Sequence, residues 1–295
     1  MKLFNKITAG LLLVSSLHAA DVNVYEGTDS KAINCKTVGA MFKSLNYSVE
    51  AVSVLDKKFK KVFDDTAFDK FRIIAVRHNA LSEKLIAKYP DAGAFVPFSV
   101  ALQSYANSDK VTFTTLDTDT MKKVLNAPDC KLLDKLEKRT IKVAKAFGFD
   151  TTKTKKFDYN VSKPIGELLY KKQITGDAAK LAEKLTATMK KHKFSIVNEL
   201  DLTREYKSID DKYEFYTTYS ICKVKVLYLA SKTRPEAAAF APCSLAVYKE
   251  KGSDKVTFAF PSTYNWLSSL DMQDPKAVEI LKAEQKEIEG FINAL

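Results

Sequence analysis

The chain has 295 residues, of which 46% are hydrophobic and 28% are charged, and its formal net charge is +11. This is the balance of an ordinary globular protein with enough apolar residues for two hydrophobic cores. The lysines are scattered rather than gathered with interleaved aromatic residues, which argues against a nucleic-acid partner, as does the export signal described next. A solvated lysine-rich surface explains the charge most simply. An anionic ligand, an anionic envelope surface or an acidic partner protein is the alternative.

The N-terminus has the three parts of an export signal. Lys2 and Lys6 form a positive region, residues 7–17 are apolar, and residues 17–20 (LHAA) form a small-residue cleavage site. A short membrane anchor is the alternative, but the apolar run is shorter than the roughly 18 to 20 residues that span a bilayer. We therefore predict that residues 1–20 are a signal peptide. The mature protein is then soluble and periplasmic, without a transmembrane segment.

Two segments of the chain repeat each other without a gap. Residues 95–113 (FVPFSVALQSYANSDKVTF) and 240–258 (FAPCSLAVYKEKGSDKVTF) share ten identities and both end in SDKVTF. A repeat with this long spacing predicts one domain present as two tandem copies. We predict a first repeat at 21–150, a linker with the opening strand of the second repeat at 151–176, and a second repeat at 177–295.

The first copy is predicted to open with a strand at residues 22–25, followed by a helix. The helix has apolar residues at Val38, Met41, Phe42 and Leu45, which lie three to four positions apart as one buried face requires. The remaining predicted elements are strands at 47–55 and 71–76, a mainly helical connection to Pro97, a hairpin at 99–105 and 110–115, and a closing helix from about Asp129.

The second copy is predicted to have the same order of elements. After a less clear strand at 168–171, a helix with Leu181, Leu185 and Met189 on one face follows Asp177, a favourable N-cap residue. The remaining predicted elements are strands at 194–202 and 215–221, a hairpin at 244–248 and 255–260, and a closing helix from about Pro275. The fold class is therefore α+β. Each repeat is predicted as strand, helix, four strands and helix, with a mainly antiparallel sheet covered by helices on one face.

Three short segments of the second copy carry a family resemblance. Residues 219–222 (YSIC), 237–243 (AAAFAPC) and 245–248 (LAVY) resemble the domain of unknown function 302 family, in which an apolar strand, an alanine-rich helix and a Pro-led strand follow one another. The first copy matches more weakly, with Arg77 and Phe98 where the second copy has cysteines, and both copies lack the family's frequent Asn-Pro. The resemblance implies a fold similar to that of the TATA-box-binding protein, with two units side by side, and it implies no activity.

An even number of cysteines in an oxidising compartment favours disulfides. The four are Cys35, Cys130, Cys222 and Cys243. Cys222 ends one predicted strand and Cys243 begins the next, whereas Cys35 and Cys130 lie at the starts of two helices of the first copy. The predicted pairs are therefore Cys222 with Cys243 and Cys35 with Cys130. The alternative is that all four are buried free thiols.

Two other sets of residues in the second copy are candidates for function. Cys222 precedes a helix, where a thiolate is stabilised, so Cys222 and Cys243 could form a reactive thiol site. Their spacing is not that of a zinc site, and we predict no metal and no cofactor. Tyr264 and Trp266 follow the last strand; they either contact a ligand or partner, or Trp266 closes the core beneath the last helix.

No catalytic motif stands out in the sequence. We therefore predict an exported, non-enzymatic binding or accessory protein for a small ligand or a periplasmic partner protein. Its site is expected in the groove between the repeats or on the concave surface of a sheet. The alternative is a thiol-redox or sulfur-handling protein that uses Cys222 and Cys243.

Overall fold

The computed structural model describes residues 22–65, 67–152 and 166–295. The predicted signal peptide and most of the predicted linker lie outside the described residues. Across the part of the chain that is described, no helix is both long enough and apolar enough to cross a membrane.

The described first half contains a sheet and a set of helices in the predicted order. Its strands are β1 (Val22–Thr28), β2 (Tyr47–Val54), β3 (Phe68–His78), β4 (Phe98–Tyr105) and β5 (Lys110–Leu116). Its helices are α1 (Cys35–Ser44), α2 (Leu55–Phe63), α3 (Asn79–Lys88), the 3-10 helix η1 (Pro90–Phe95), α4 (Thr118–Val124) and α5 (Lys131–Ala146).

The second half repeats this order. Its strands are β6 (Leu169–Thr175), β7 (Ser195–Asp201), β8 (Tyr213–Cys222), β9 (Cys243–Glu250) and β10 (Lys255–Pro261). Its helices are α6 (Ala178–Lys191), α7 (Leu202–Glu205), α8 (Lys207–Asp210), α9 (Val224–Thr233), the 3-10 helix η2 (Pro235–Phe240), α10 (Tyr264–Ser269) and α11 (Pro275–Asn293).

Both sheets are antiparallel and have equivalent strand orders. The orders are β1-β5-β4-β3-β2 and β6-β10-β9-β8-β7. The register is also the same, since Val76 faces Phe98 in the first sheet and Ile221 faces Cys243 in the second. The α+β class is confirmed, and a two-repeat arrangement fits. The sequence analysis did not predict α2 or its counterparts α7 and α8. Helices α7 and α8 have four residues each, too few for an apolar period, whereas α2 has Leu55, Phe59 and Phe63 at helical spacing, a signal that could have identified it.

Side-chain caps define where several helices begin. Asn34 accepts hydrogen bonds from the backbone of Lys36 and Thr37 and so starts α1. Asp177 accepts from the Lys180 backbone at the start of α6, which confirms the predicted N-cap. Asp274 does the same for α11, where Pro275 occupies the first turn without losing a needed donor.

One face of each sheet packs against helices of its own half. In the second half, Leu185 of α6 and Ile288 of α11 belong to one buried cluster with Phe258 of β10. In the first half, Phe42 of α1 and Leu133 of α5 share a cluster with the sheet. Full burial of side chains of this size stabilises the fold by roughly 1.5 to 3 kcal/mol each.

The opposite face of each sheet is covered by the other half. The η2 helix lies on β4 and β5, and η1 lies on β9 and β10. Gly93 of η1 approaches Tyr216 so closely that a Cβ atom there would lie 2.4 Å from the tyrosine hydroxyl. Polar contacts join the same surfaces: the Tyr248 hydroxyl donates to Asp91 at 2.6 Å, and the Tyr228 hydroxyl donates to Asp65 at 2.8 Å. The two halves therefore form one interlocked core.

Candidate functional site

The predicted cysteine pair lies at the matching ends of two neighbouring strands. Cys222 is the last residue of β8 and Cys243 is the first residue of β9. Ile221 directly faces Cys243, so Cys222 is one step along the ladder from its partner. Antiparallel spacing then puts the two Cα atoms about 6 Å apart. This Cα separation lies within the roughly 4.4 to 6.8 Å of disulfides, but strand alternation puts Ile221, not Cys222, on the face of Cys243, so the bond also requires the end of β8 to turn Cys222 toward its partner.

Both cysteines line one small cavity. Its volume is about 10 Å³, and its lining includes Glu284 of α11, Trp266 of α10 and Lys223. This is room for about one water molecule. Two thiols, a carboxyl group and an indole ring therefore line one small, partly open space.

Glu284 is the most unusual group of this cavity. Its residue is only 6% exposed, and its Oε2 atom has no hydrogen-bond partner. Burial raises the pKa of Glu284 to about 8; the neighbouring Glu287 raises it further, while Lys223 opposes the shift. Glu284 is therefore mostly a neutral carboxylic acid at pH 7. It can donate a proton when protonated and accept one when ionised.

The two thiols are also held in their neutral forms. Burial raises the pKa of Cys222 to about 12; Glu284 adds to the shift and Lys58 opposes it. Burial also raises the pKa of Cys243 well above its usual range, with Glu284 and Cys222 adding to the shift. The Cys243 Sγ donates a weak hydrogen bond to the Phe240 carbonyl at 3.7 Å. Burying a charged thiolate is energetically costly, whereas a disulfide is neutral and does not have this cost.

The structure shows all four cysteines as free thiols. Cys222 and Cys243 line the same cavity. Cys35, at the start of α1, is partly exposed, whereas Cys130, the N-cap residue of α5, is buried, and both pack at the core of the first half. Formation of either disulfide under oxidising conditions stays a prediction.

The aromatic candidates lie next to the cysteine cavity. Trp266 is 4% exposed and packs against Phe240, with ring centroids 5.5 Å apart. This burial agrees with the interpretation that Trp266 closes the core, and the ring also forms part of the cavity wall. Tyr264 is half-buried two residues earlier on the same helix. Its contact with a ligand or partner stays a prediction.

Two residues of the site were missed by the sequence analysis. Glu284 lies three positions after Leu281 and four before Ile288, both buried on α11. That spacing places its carboxyl on the apolar face of the helix, which is the signal that could have identified it. Lys58 comes from α2 of the other half, and no sequence pattern links it to Cys222.

The predicted groove between the repeats contains a second cavity. It has a volume of about 30 Å³ and a mainly apolar lining that includes Phe95 and Phe98 from one half and Phe240 and Cys243 from the other. Pockets for small molecules usually have roughly 300 to 1,000 Å³. Within the described residues, no group of three or more His, Cys, Asp or Glu side chains is arranged to hold a metal ion.

The cysteine cavity lies in the part of the chain that matches a known protein family. A family model described as "Domain of unknown function DUF302" matches residues 170–295. The second half, which contains both cysteines of the cavity and Glu284, is therefore similar to that family, and the predicted resemblance is confirmed for this half. The match does not extend to the first half.

Among the solved structures that match, one is similar to part of the chain. It is the crystal structure of an uncharacterized conserved protein DUF302 from Bacillus stearothermophilus, with 16% sequence identity and a TM-score of 0.38. The similarity covers 43% of this chain and 98% of that chain. No curated protein matches the sequence.

Proposed function

We propose that the chain is a dithiol protein in which Cys222 and Cys243 cycle between two thiols and one disulfide. One observation carries the proposal: two cysteines at the ends of neighbouring strands line the same small cavity as a buried, mostly neutral carboxylic acid. A purely structural acid in such a place would find hydrogen-bond partners for both oxygens, because an unpartnered buried oxygen is destabilising. Glu284 leaves one oxygen without a partner.

The proposed reaction is thiol–disulfide exchange with a low-molecular-weight disulfide. One cysteine thiolate attacks a sulfur of that disulfide, the S–S bond breaks, and the released thiolate takes a proton. The second cysteine then loses its proton and attacks the mixed disulfide, which releases a second small thiol. The two cysteines are oxidised by two electrons in total, and the small disulfide is reduced to two thiols. Ionised Glu284 accepts the proton that the second cysteine loses.

The proposed site also fits the predicted export of the chain, because disulfides form and persist in the periplasm. The binding or accessory role predicted from the sequence stays a prediction. The cavity between the halves has only about 30 Å³, so a small ligand would bind there only if side chains moved. A partner protein would instead contact the outer surface.

A redox titration of the full mature chain tests the proposal. The protein is equilibrated over a series of ratios of reduced to oxidised glutathione, and free thiols are trapped with a maleimide that adds mass. We expect a two-electron transition with one disulfide between Cys222 and Cys243, identified by peptide mapping. The Cys35→Ser/Cys130→Ser variant keeps this transition, whereas Cys222→Ser and Cys243→Ser lose it. A chain in which these two cysteines remain unpaired at every ratio overturns the proposal.

A further inference from the structure

Helix α2 carries its positive charges on the side opposite its packing face. Leu55 and Phe59 are buried against the core, whereas Val62 is 62% exposed. Four further exposed residues of this helix are lysines: Lys57, Lys58, Lys60 and Lys61. At 3.6 residues per turn, the four lysines cover an arc of about 160° of the helix surface. The helix therefore presents a broad cationic face to solvent.

The carboxylates near this face neutralise little of its charge. Among the described residues, no carboxylate lies within ion-pair distance of any of the four lysine ammonium groups. Asp56 instead forms an ion pair with Arg72, and Asp65 accepts a hydrogen bond from the Tyr228 hydroxyl at 2.8 Å. Asp64, the C-cap residue of α2, is exposed and offsets one of the four charges. The face therefore keeps most of its positive charge.

The cationic face continues onto α9 of the other half. The Tyr228 ring stacks on Phe63 of α2, with ring centroids 4.0 Å apart and an angle of 6° between the rings. Lys225 and Lys232 are exposed and lie three residues before and four residues after Tyr228, so all three share one side of α9. Asp65 offsets the charge of Lys232 in part, since the two charged groups are 3.9 Å apart. We call the following residues the α2–α9 surface: Lys57, Lys58, Lys60, Lys61, Val62, Lys225 and Lys232.

The equivalent place in the other half has balanced charges. Helices α7 and α8 follow β7 as α2 follows β2, and α3, the counterpart of α9, contacts α8. Arg204 pairs with Asp201 at 3.1 Å, and Lys207 pairs with Asp211 at 2.8 Å. The repeat therefore folds without a cationic surface at this position, so the fold itself does not require the lysines of the α2–α9 surface.

We propose that the α2–α9 surface binds the protein peripherally to bilayers that contain anionic phospholipids. A small anion is held by groups that converge on a concave site, whereas these lysines spread over the outer face of a helix. Each lysine close to an anionic membrane surface favours binding by roughly fivefold, so a plane of headgroups suits a spread of lysines. Val62 lies one turn after Lys58, where an apolar side chain can enter the boundary between headgroups and acyl chains. The proposal goes beyond the dithiol function and does not depend on it.

Co-sedimentation with lipid vesicles tests the proposal. Residues 21–295 are used, because the predicted signal peptide would itself bind a bilayer. Vesicles of phosphatidylcholine alone are compared with vesicles in which one third of the lipid is phosphatidylglycerol. We expect binding to the anionic vesicles at low salt, loss of this binding at high salt, and no binding to the neutral vesicles. Lys57→Gln/Lys61→Gln should weaken binding by roughly ten- to thirtyfold, at about fivefold for each lysine.

The matched control is Arg204→Gln/Lys207→Gln, which removes two positive charges from the equivalent helices of the other half. Both side chains are exposed, by 87% and 85%, and the net charge changes equally in the two variants. We expect the control to bind anionic vesicles within about twofold of the parent. Equal losses in the two variants would mean that only net charge acts, and would overturn the proposal. Failure of the parent to bind anionic vesicles at low salt would also overturn it.

A soluble polyanion distinguishes a bilayer from an acidic partner protein. Binding to polyglutamate is measured by fluorescence anisotropy alongside the vesicle assay. Val62→Ser should weaken binding to anionic vesicles about two- to fivefold and leave binding to polyglutamate unchanged, because only a bilayer offers an apolar layer. Polyglutamate bound as tightly as the vesicles, or a Val62→Ser variant that binds vesicles like its parent, would overturn the bilayer assignment in favour of a soluble acidic partner.

Discussion

The ends of β3 and β8 have the same strand register but carry different side chains, Arg77 in the first half and Cys222 in the second. In the first half, Arg77 is 4% exposed and fully engaged: it donates to Glu50 at 2.8 Å, to Glu205 at 2.9 Å and to the Tyr206 hydroxyl at 2.6 Å. In the second half, Cys222 faces a cavity in which a carboxyl oxygen has no partner. One backbone position thus holds a fully hydrogen-bonded arginine in one copy and a cysteine of the proposed dithiol site in the other.

The largest effect on the free energy of unfolding is expected from removing the Arg77 side chain. Arg77→Ala leaves Glu50 and the Tyr206 hydroxyl partly buried without their cation, and loss of one member of a buried ion pair costs roughly 3 to 5 kcal/mol. We expect urea unfolding to show a loss of about 4 kcal/mol for the whole chain. Arg204→Ala is the control, since its side chain is 87% exposed in an ion pair with Asp201, and should change stability by less than about 0.5 kcal/mol. Similar losses in the two variants would contradict the structural role of Arg77.

A smaller, pH-dependent effect on stability is expected from replacing Glu284. The folded chain keeps the Glu284 proton up to a pKa of about 8, whereas the unfolded chain loses it near pH 4.5. The stability that protonated Glu284 contributes is therefore fully present below about pH 4.5. This contribution is lost as the pH rises from there through the folded-state pKa of about 8. Glu284→Gln removes this dependence, so the reduced variant should be more stable than its parent by roughly 3 kcal/mol at pH 7 and nearly equal at pH 4.

Urea unfolding at several pH values between 4 and 9 measures this difference. The control is Glu279→Gln, which makes the same change on the exposed side of α11. A stability difference between Glu284→Gln and its parent that does not vary with pH would show that Glu284 is ionised in the folded chain.

The smallest of these effects is expected from oxidation of the cysteine pair. A disulfide between Cys222 and Cys243 closes a loop of about twenty residues and should contribute roughly 2 to 3 kcal/mol by the chain-entropy estimate, less if the bond is strained. The oxidised chain should therefore unfold at a higher urea concentration than the reduced chain. When Cys35 and Cys130 are replaced by Ser in both chains, the parent should keep this difference and Cys243→Ser should show none. Equal midpoints for the parent in both states would mean that the bond does not constrain the unfolded chain.

The architecture of each half could be predicted from local signals. The SDKVTF segments gave matching hairpins, and Asp177 marked the start of a helix, because both depend on residues close in sequence. The covering of each sheet by the other half could not be predicted in this way. The segments η1 and η2 are short runs rich in alanine and glycine, and their packing partners lie more than a hundred residues away.

The candidate site was predictable only in part. Cys222 and Cys243 could be paired because one ends a strand and the other begins the next. Glu284 was not predicted as a site residue, because acidic residues on helices are usually exposed. It is buried because it lies on the same face of α11 as Leu281 and Ile288. Lys58 lies in a basic helix whose position is set by the packing of Phe59 on Tyr228, a contact between the two halves.

The exchange of covering segments has a consequence for how the chain acquires its structure. As the polypeptide is synthesised, the first sheet is complete by Leu116, but the η2 segment that covers its second face is not made until Phe240. Until then Val24 of β1 and Ala101 of β4 lack that cover, and the incomplete intermediate is open to self-association. A single half produced alone would have the same exposed face and would pair with a second copy to cover it. The tandem chain is in this sense a dimer whose subunits share one backbone, which raises the effective concentration of each half for the other.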